Sequence, residues 1–163
     1  MGQKAKTENN VSSLPAGSDS IEAQITVIRR EYNKINADIS KFRVVKEELE
    51  GQSTGGGQLT KYFEGKLLRK AKLRFYGETG KSITEFYFLH DSVIFSFKRT
   101  YYYDIPIYEK GSKVEKVEEE RFYFVSQKLV RWIGPNGKTV KASLYDAKEI
   151  EIEQILKSDD YNK

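Results

Sequence analysis

The sequence predicts an α+β domain: a single curved antiparallel β-meander of about six to eight strands, packed by one long N-terminal helix. Three observations support this prediction. One amphipathic helical stripe lies near the N-terminus, aromatic residues make up 13% of the 163 residues, and short polar junctions recur between aromatic runs. Aromatic residues favour strands. A helix with one apolar stripe needs a covering layer, which a sheet with one apolar face supplies.

The first predicted element is a helix that follows a polar segment. Residues 1–18 contain little to bury and are predicted to be a disordered tail or tether. One domain is predicted over 19–158 and a second short tail over 159–163. Apolar residues recur at helical spacings of three and four, at Ile21, Ile25, Ile28, Tyr32, Ile35, Ile39 and Phe42. The stripe predicts packing on the sheet of the same domain, and a homotypic coiled coil is the alternative.

Strands are predicted to follow one another through most of the remaining chain. Residues 43–51 are either a last helical turn or a first strand, and residues 52–58 form a glycine-rich turn. Short polar breaks between aromatic runs are typical of β-hairpins. The predicted hairpin junctions lie at Glu64-Gly65, near His90-Asp91 and near Ser126-Gln127.

Two later segments depart from this strand pattern. Residues 104–118 contain Pro106, Gly111 and alternating Lys and Glu, which predicts a long exposed hairpin arm or loop. Residues 143–160 predict a short C-terminal helix, although the alternation at 149–155 also fits a strand. The residues expected on one side of this helix are Leu144, Ala147, Ile150 and Ile155.

Composition excludes several kinds of site. The chain has no Cys and one His, which removes disulfides, thiolate zinc sites and Cys nucleophiles. No apolar run is long enough to predict a transmembrane segment. The net charge of +4 permits contact with a polyanion. No cofactor is expected, and His90 is interpreted as a turn residue.

The segment Gly77–Ser82 looks like the end of a phosphate-binding P-loop. That motif requires a glycine where this chain has Phe75, and it requires a helix to follow. Residues 83–88 instead have the composition of a strand. We therefore interpret Gly77–Gly80 as a hairpin turn in which glycine supplies a positive φ.

A basic and aromatic strand face is the main candidate site. Alternation puts Leu68, Lys70, Lys72, Arg74 and Tyr76 on one side of their strand, and Leu67, Arg69, Ala71, Leu73 and Phe75 on the other. It also puts Ser96, Lys98, Thr100 and Tyr102 on one side of a later strand. Lysines and tyrosines on one surface can bind single-stranded nucleic acid, acidic glycans or a protein, and a solvated outer face is the alternative. The possible binding surface comprises Tyr101, Tyr102, Tyr103, Tyr108, Lys70, Lys72, Arg74 and Lys98.

Three aromatic phrases resemble those of small exported or lipid-anchored proteins of Bacteroidetes. They are FYGETGKSITEFYF, VIFSFKRTYYYDIPIY and FYFVSQKLVRWIG, within a similarity that runs from about residue 21 to residue 138. The resemblance implies a leading helix with aromatic strands. It also implies a periplasmic or membrane-tethered location after removal of a leader, with a cytoplasmic location as the alternative. It implies no reaction.

The functional expectation is a non-catalytic binding or accessory module of the cell envelope, whose partner is an envelope protein or glycan. One alternative is a cytoplasmic binder of nucleic acid or another polyanion, acting through the basic strand face. Another alternative is a hydrolase that uses sheet carboxylates, for which Glu85, Asp91 and Asp104 are the candidates.

Overall fold

The computed structural model describes residues 18–158. Its helices and strands are α1 Ser18–Asp38, β1 Arg43–Leu49, β2 Gly57–Glu64, β3 Leu67–Tyr76, β4 Gly80–Leu89, β5 Ser92–Tyr103, β6 Val114–Val125, β7 Lys128–Ile133 and α2 Tyr145–Lys157. Short 3₁₀ turns follow α1 at Ile39–Lys41 and precede α2 at Ala142–Leu144. The α+β prediction is confirmed. The predicted tails, 1–18 and 159–163, lie outside the described residues apart from Ser18, which begins α1.

The seven strands form one open antiparallel sheet in which each strand pairs with the next along the chain, from β1 to β7. The predicted meander is therefore confirmed. The tight hairpins at β4–β5 and β6–β7 have positive φ at both turn residues, which are His90, Asp91, Ser126 and Gln127. This conformation matches the right-handed twist of the strands that it joins.

The predicted turn at Gly77–Gly80 joins β3 to β4, but its glycines are not required for a positive φ, contrary to the expectation from the sequence. Neither Gly77 nor Gly80 has a positive φ. A Cβ atom on Gly80 would lie 2.4 Å from the carbonyl oxygen of Tyr101. The absence of a side chain therefore allows β4 to approach β5 closely. Residues 83–88 belong to β4, so no helix follows as a P-loop requires.

Core clusters lie on both faces of the sheet, whereas the sequence predicted one apolar face. We call the two sides the α1 face and the α2 face, after the helix that packs on each. The buried residues of the α1-face core are Ile25, Ile28, Ile35, Tyr87, Phe95, Phe97 and Tyr123. Those of the α2-face core are Leu49, Leu59, Ala71, Leu73, Phe86, Phe88, Phe122, Phe124, Leu129 and Ile152. The apolar stripe of α1 thus packs on the sheet, as predicted.

The C-terminal helix is confirmed, but it buries a different side from the expected one. Leu144 and Ile150 are exposed, whereas Glu149 and Ile152 are buried. The buried carboxylate of Glu149 accepts the backbone N–H of Leu129 at 2.8 Å. This hydrogen bond lowers the pKa of Glu149 below its usual value, although burial acts in the opposite direction. A polar residue thus faces the sheet, which a search for apolar periodicity cannot detect.

The arm predicted over 104–118 is shorter in the structure. Strand β6 begins at Val114 and pairs with β5, so only residues 104–113 form the connection. The carboxylate of Asp104 accepts the backbone N–H of Lys113 at 2.9 Å and closes the base of this loop. The strand pairing explains the difference, because alternating Lys and Glu can occupy the charged faces of an exposed strand.

Candidate functional site

The sheet register divides the predicted binding surface between two faces. Lys72 lies in one row with Glu85 of β4 and Phe97 of β5, and directly paired residues point to the same face. The predicted residues on the α1 face are Lys70, Lys72, Arg74, Tyr101 and Tyr103. Those on the α2 face are Lys98 and Tyr102. Tyr108 lies in the connection between β5 and β6. These residues therefore do not lie on one face of the sheet, because alternation within two strands does not give their relative phase.

A β-bulge also changes the beginning of β3. The pairing between β2 and β3 skips Arg69, so alternation is interrupted there. Leu68 packs against the α2-face core. Arg69 lies near α1 instead, where its guanidinium is 3.3 Å from the Glu31 carboxylate. Unbroken alternation predicts the reverse for both side chains.

Lys70 lies in a buried polar network beneath α1. Only 7% of the residue is exposed. Its Nζ lies 3.2 Å from Glu85 Oε2 and donates to Asn36 Oδ1 at 3.0 Å. The hydroxyl of the fully buried Tyr87 donates to the same Glu85 oxygen at 2.5 Å. Lys72 Nζ lies 3.8 Å from Glu85 Oε1. Glu85 therefore joins two lysines and a tyrosine on this face.

Burial and pairing shift the pKa values within this network. Burial lowers the pKa of Lys70, while the Glu85 charge partly opposes the shift. Burial raises the pKa of Tyr87, and the Glu85 charge acts in the same direction. Burial acts to raise the pKa of Glu85, but the Tyr87 hydrogen bond and the Lys70 charge outweigh it, so that this pKa is lowered. Glu85 is thus a carboxylate at neutral pH, and Tyr87 is a neutral donor.

A cleft of ≈ 360 Å³ opens between α1 and strands β5 and β6 of the sheet. Three arginines line it: Arg29 from α1, Arg99 from β5 and Arg121 from β6. We call this feature the arginine cleft. The other lining residues are Ile28, Tyr32, Asn33, Phe95, Phe97 and Tyr123. Positive charge therefore converges on a pocket with largely aromatic walls.

Glu119 positions the two arginines that come from the sheet. Its Oε1 accepts the Nε–H of Arg99 at 3.2 Å, and its Oε2 accepts from Arg121 Nη2 at 3.0 Å. The ring of Phe97 has both guanidinium groups near it, 4.5 and 4.8 Å from its centroid. Each guanidinium carries five N–H donors in a fixed plane. Both arginines therefore keep further donors for a ligand while Glu119 and Phe97 hold them in place.

Cations cover ring faces on this sheet. Besides Phe97, the ring of Tyr101 lies 4.8 Å from Lys81 Nζ, and the ring of Tyr102 lies 5.5 Å from Lys116 Nζ. Stacking of a nucleobase requires access to a ring face. At Phe97, Tyr101 and Tyr102, a cation therefore occupies a ring face on which a base could otherwise stack.

The three carboxylates of the hydrolase hypothesis do not share a cleft. Asp91 precedes β5 and Asp104 follows it, and this strand has 12 residues. At about 3.3 Å per residue, the two carboxylates lie roughly 40 Å apart. Glu85 is committed to the buried network. Within residues 18–158, no group of three His, Asp or Glu side chains is arranged to hold a metal ion.

Two further observations give no indication of a function. Neither helix in the described part of the chain is long and apolar enough to cross a membrane. Comparison of the chain with protein-family models, with curated proteins and with solved structures finds no match. The proposal below therefore rests on the geometry of the arginine cleft.

Proposed function

We propose that the protein is a non-catalytic binding module that holds an anionic group of its ligand in the arginine cleft. The observation that supports this proposal is the convergence of Arg29, Arg99 and Arg121 on one pocket. Guanidinium groups bind carboxylates, sulfates and phosphates through paired hydrogen bonds. Because Glu119 already orders two of these side chains, less conformational freedom is lost when the ligand binds.

The ligand we propose is an acidic glycan. The cleft volume of ≈ 360 Å³ lies within the range of small-molecule sites, roughly 300–1,000 Å³. Tyr32 and Asn33 also line the cleft, and hydroxyl and amide groups are suitable partners for sugar hydroxyls. Lys72 and Arg74 continue the positive charge along the same face. A chain of acidic sugars can follow that charge without needing open ring faces.

Replacing Arg99 and Arg121 together by glutamine is expected to weaken binding of a fluorescently labelled oligogalacturonate by about 100-fold, because arginines at the centre of a site contribute most of the affinity. Fluorescence anisotropy at several salt concentrations measures the effect. Binding by the unmodified protein is expected to weaken as salt increases.

The matched control replaces Lys98 and Lys116 by glutamine, which removes the same charge from the α2 face. This variant is expected to bind like the unmodified protein. An equal loss in both variants would contradict the cleft and indicate unspecific charge attraction. A labelled single-stranded oligonucleotide of equal charge tests the polyanion alternative, since tighter binding of that probe through Arg99 and Arg121 would overturn the glycan assignment.

We further propose that the protein acts in the cell envelope, on the basis of its resemblance to exported proteins. In its own host, the native protein is expected in the envelope fraction. Its mature mass is expected to be smaller than that of the full translation product, as cleavage of a leader requires. Cell fractionation followed by mass spectrometry makes this measurement. An intact species in the cytoplasmic fraction would contradict the location and direct the search for a ligand to cytoplasmic anions.

A further inference from the structure

Three hairpin turns lie at one end of the sheet, because the meander returns there after every second strand. They are Gly65-Lys66, His90-Asp91 and Ser126-Gln127. The C-terminal turn of α2 lies at the same end, where Leu156 and Lys157 line a cavity together with Phe63 and Leu68. This cavity has a volume of ≈ 590 Å³. It lies on the α2 face, so the sheet separates it from the arginine cleft.

The interior of the cavity is apolar. Phe88, Phe124 and Ile152 form part of its lining, and each is at most 8% exposed. Leu68 and Val93 continue the apolar lining and pack against the same core. α2 packs mainly on β7, and the space between this helix and the β2–β3 hairpin therefore remains open. An apolar group of a ligand that enters this space leaves water, which is favourable in proportion to the area buried.

The mouth of the cavity carries balanced charge. Lys66 and Asp91 lie in the hairpin turns, and Glu153 and Lys157 lie on α2. Lys157 Nζ is 3.5 Å from the Glu153 carboxylate. Lys66, Asp91 and Lys157 are exposed. Two cations and two carboxylates thus surround the opening of an apolar pocket.

We propose that this cavity binds a single-chain amphiphile with a zwitterionic head group. The chain occupies the apolar interior, and the head group stays at the mouth. A head group of both signs pairs with the lysines and with the carboxylates, whereas a purely anionic or cationic head group would face two like charges. The volume is again within the range of small-molecule sites, roughly 300–1,000 Å³.

The test uses the full chain and dodecylphosphocholine below the concentration at which it forms micelles. Two-dimensional NMR spectra are expected to show saturable shifts of the backbone amides around the three hairpin turns. Val93→Phe fills the cavity and is expected to weaken binding about tenfold or more, since the chain and the new ring compete for one space. Val117→Phe makes the same change at an exposed position of the α1 face and is expected to leave binding unchanged.

A second variant keeps the test decisive if Val93→Phe does not fold. Lys66→Glu combined with Lys157→Glu changes only exposed side chains and makes the mouth negative. This variant is expected to weaken binding of dodecylphosphocholine and to favour dodecyltrimethylammonium. Vesicles of phosphatidylcholine show whether the natural amphiphile is a membrane lipid or a free molecule. Co-sedimentation of the protein with vesicles would indicate a membrane lipid. Binding of monomeric dodecylphosphocholine without co-sedimentation would indicate a free amphiphile. Absence of saturable shifts, shifts confined to the α1 face, or preserved affinity in the mouth variant would overturn the proposal.

Discussion

Replacing Glu85 by alanine is expected to lower the free energy of unfolding by about 3–5 kcal/mol, because the substitution leaves a buried ammonium group without its carboxylate. The Nζ atom of Lys70 would lose the contact of 3.2 Å, and the hydroxyl of Tyr87 would lose its hydrogen bond of 2.5 Å. Urea denaturation at neutral pH measures the difference.

A double variant separates the burial of charge from the loss of packing. Glu85→Leu with Lys70→Met removes both charges and keeps apolar volume, so it is expected to be much more stable than the Glu85→Ala variant. Glu64→Ala breaks an exposed contact with Arg69 and is expected to cost at most about 1 kcal/mol. A similarly small loss for Glu85→Ala would mean that water reaches Lys70 and that the network adds little.

Because the pKa of Glu85 is lowered, the contribution of Glu85 to the free energy of unfolding depends on pH. A carboxyl group whose pKa is lower in the folded protein stabilises the fold at pH values above its unfolded pKa. This contribution is lost as the pH falls through the lowered folded-state pKa. The stability difference between the unmodified protein and Glu85→Gln is therefore expected to shrink on acidification from about pH 7 to pH 3.

Replacing Ile25 by alanine is expected to lower the free energy of unfolding by about 2–5 kcal/mol, as for other large aliphatic side chains removed from a core. Ile25 has no exposed surface and belongs to the α1-face core. Because α1 also supplies Arg29 to the arginine cleft, weaker binding of the oligogalacturonate probe is expected as well. Urea denaturation and anisotropy provide the two measurements.

The control for this variant is Val27→Ala, two residues along the same helix. Val27 is 47% exposed, so its loss is expected to change stability by less than about 0.5 kcal/mol. Hydrogen exchange of the α1 amides then shows whether Ile25→Ala detaches the helix locally. Equal, small effects of the two substitutions would mean that the helix is not anchored by this stripe, in conflict with the packing described above.

The helix and the meander could be predicted because their signals are local. Ile25, Ile28 and Ile35 recur at helical spacing, and all three are buried. The two-residue turns at His90-Asp91 and Ser126-Gln127 interrupt aromatic strands that must pair with their neighbours. Periodicity and turn chemistry act over a few residues, so one sequence suffices to detect them.

The candidate site was less predictable than the fold, because it depends on how separate helices and strands are aligned. Lys72 and Lys98 lie on opposite faces because of the register between strands. Arg29 meets Arg99 and Arg121 only after α1 has docked on the sheet. One signal of the arginine cleft is present in the sequence. Glu119 and Arg121 are two residues apart, which puts both side chains on one face of β6.

During synthesis, α1 leaves the ribosome long before the strands that cover it. The last residue of the α1-face core, Tyr123, follows Ile25 by about 100 residues, which takes about 5–20 s at typical translation rates. Strands β1 to β6 can meanwhile pair in the order in which they emerge, because each pairs with its predecessor. The helix packs on β4, β5 and β6, so its packing is complete only after β6 has been made, and part of its apolar stripe stays uncovered until then.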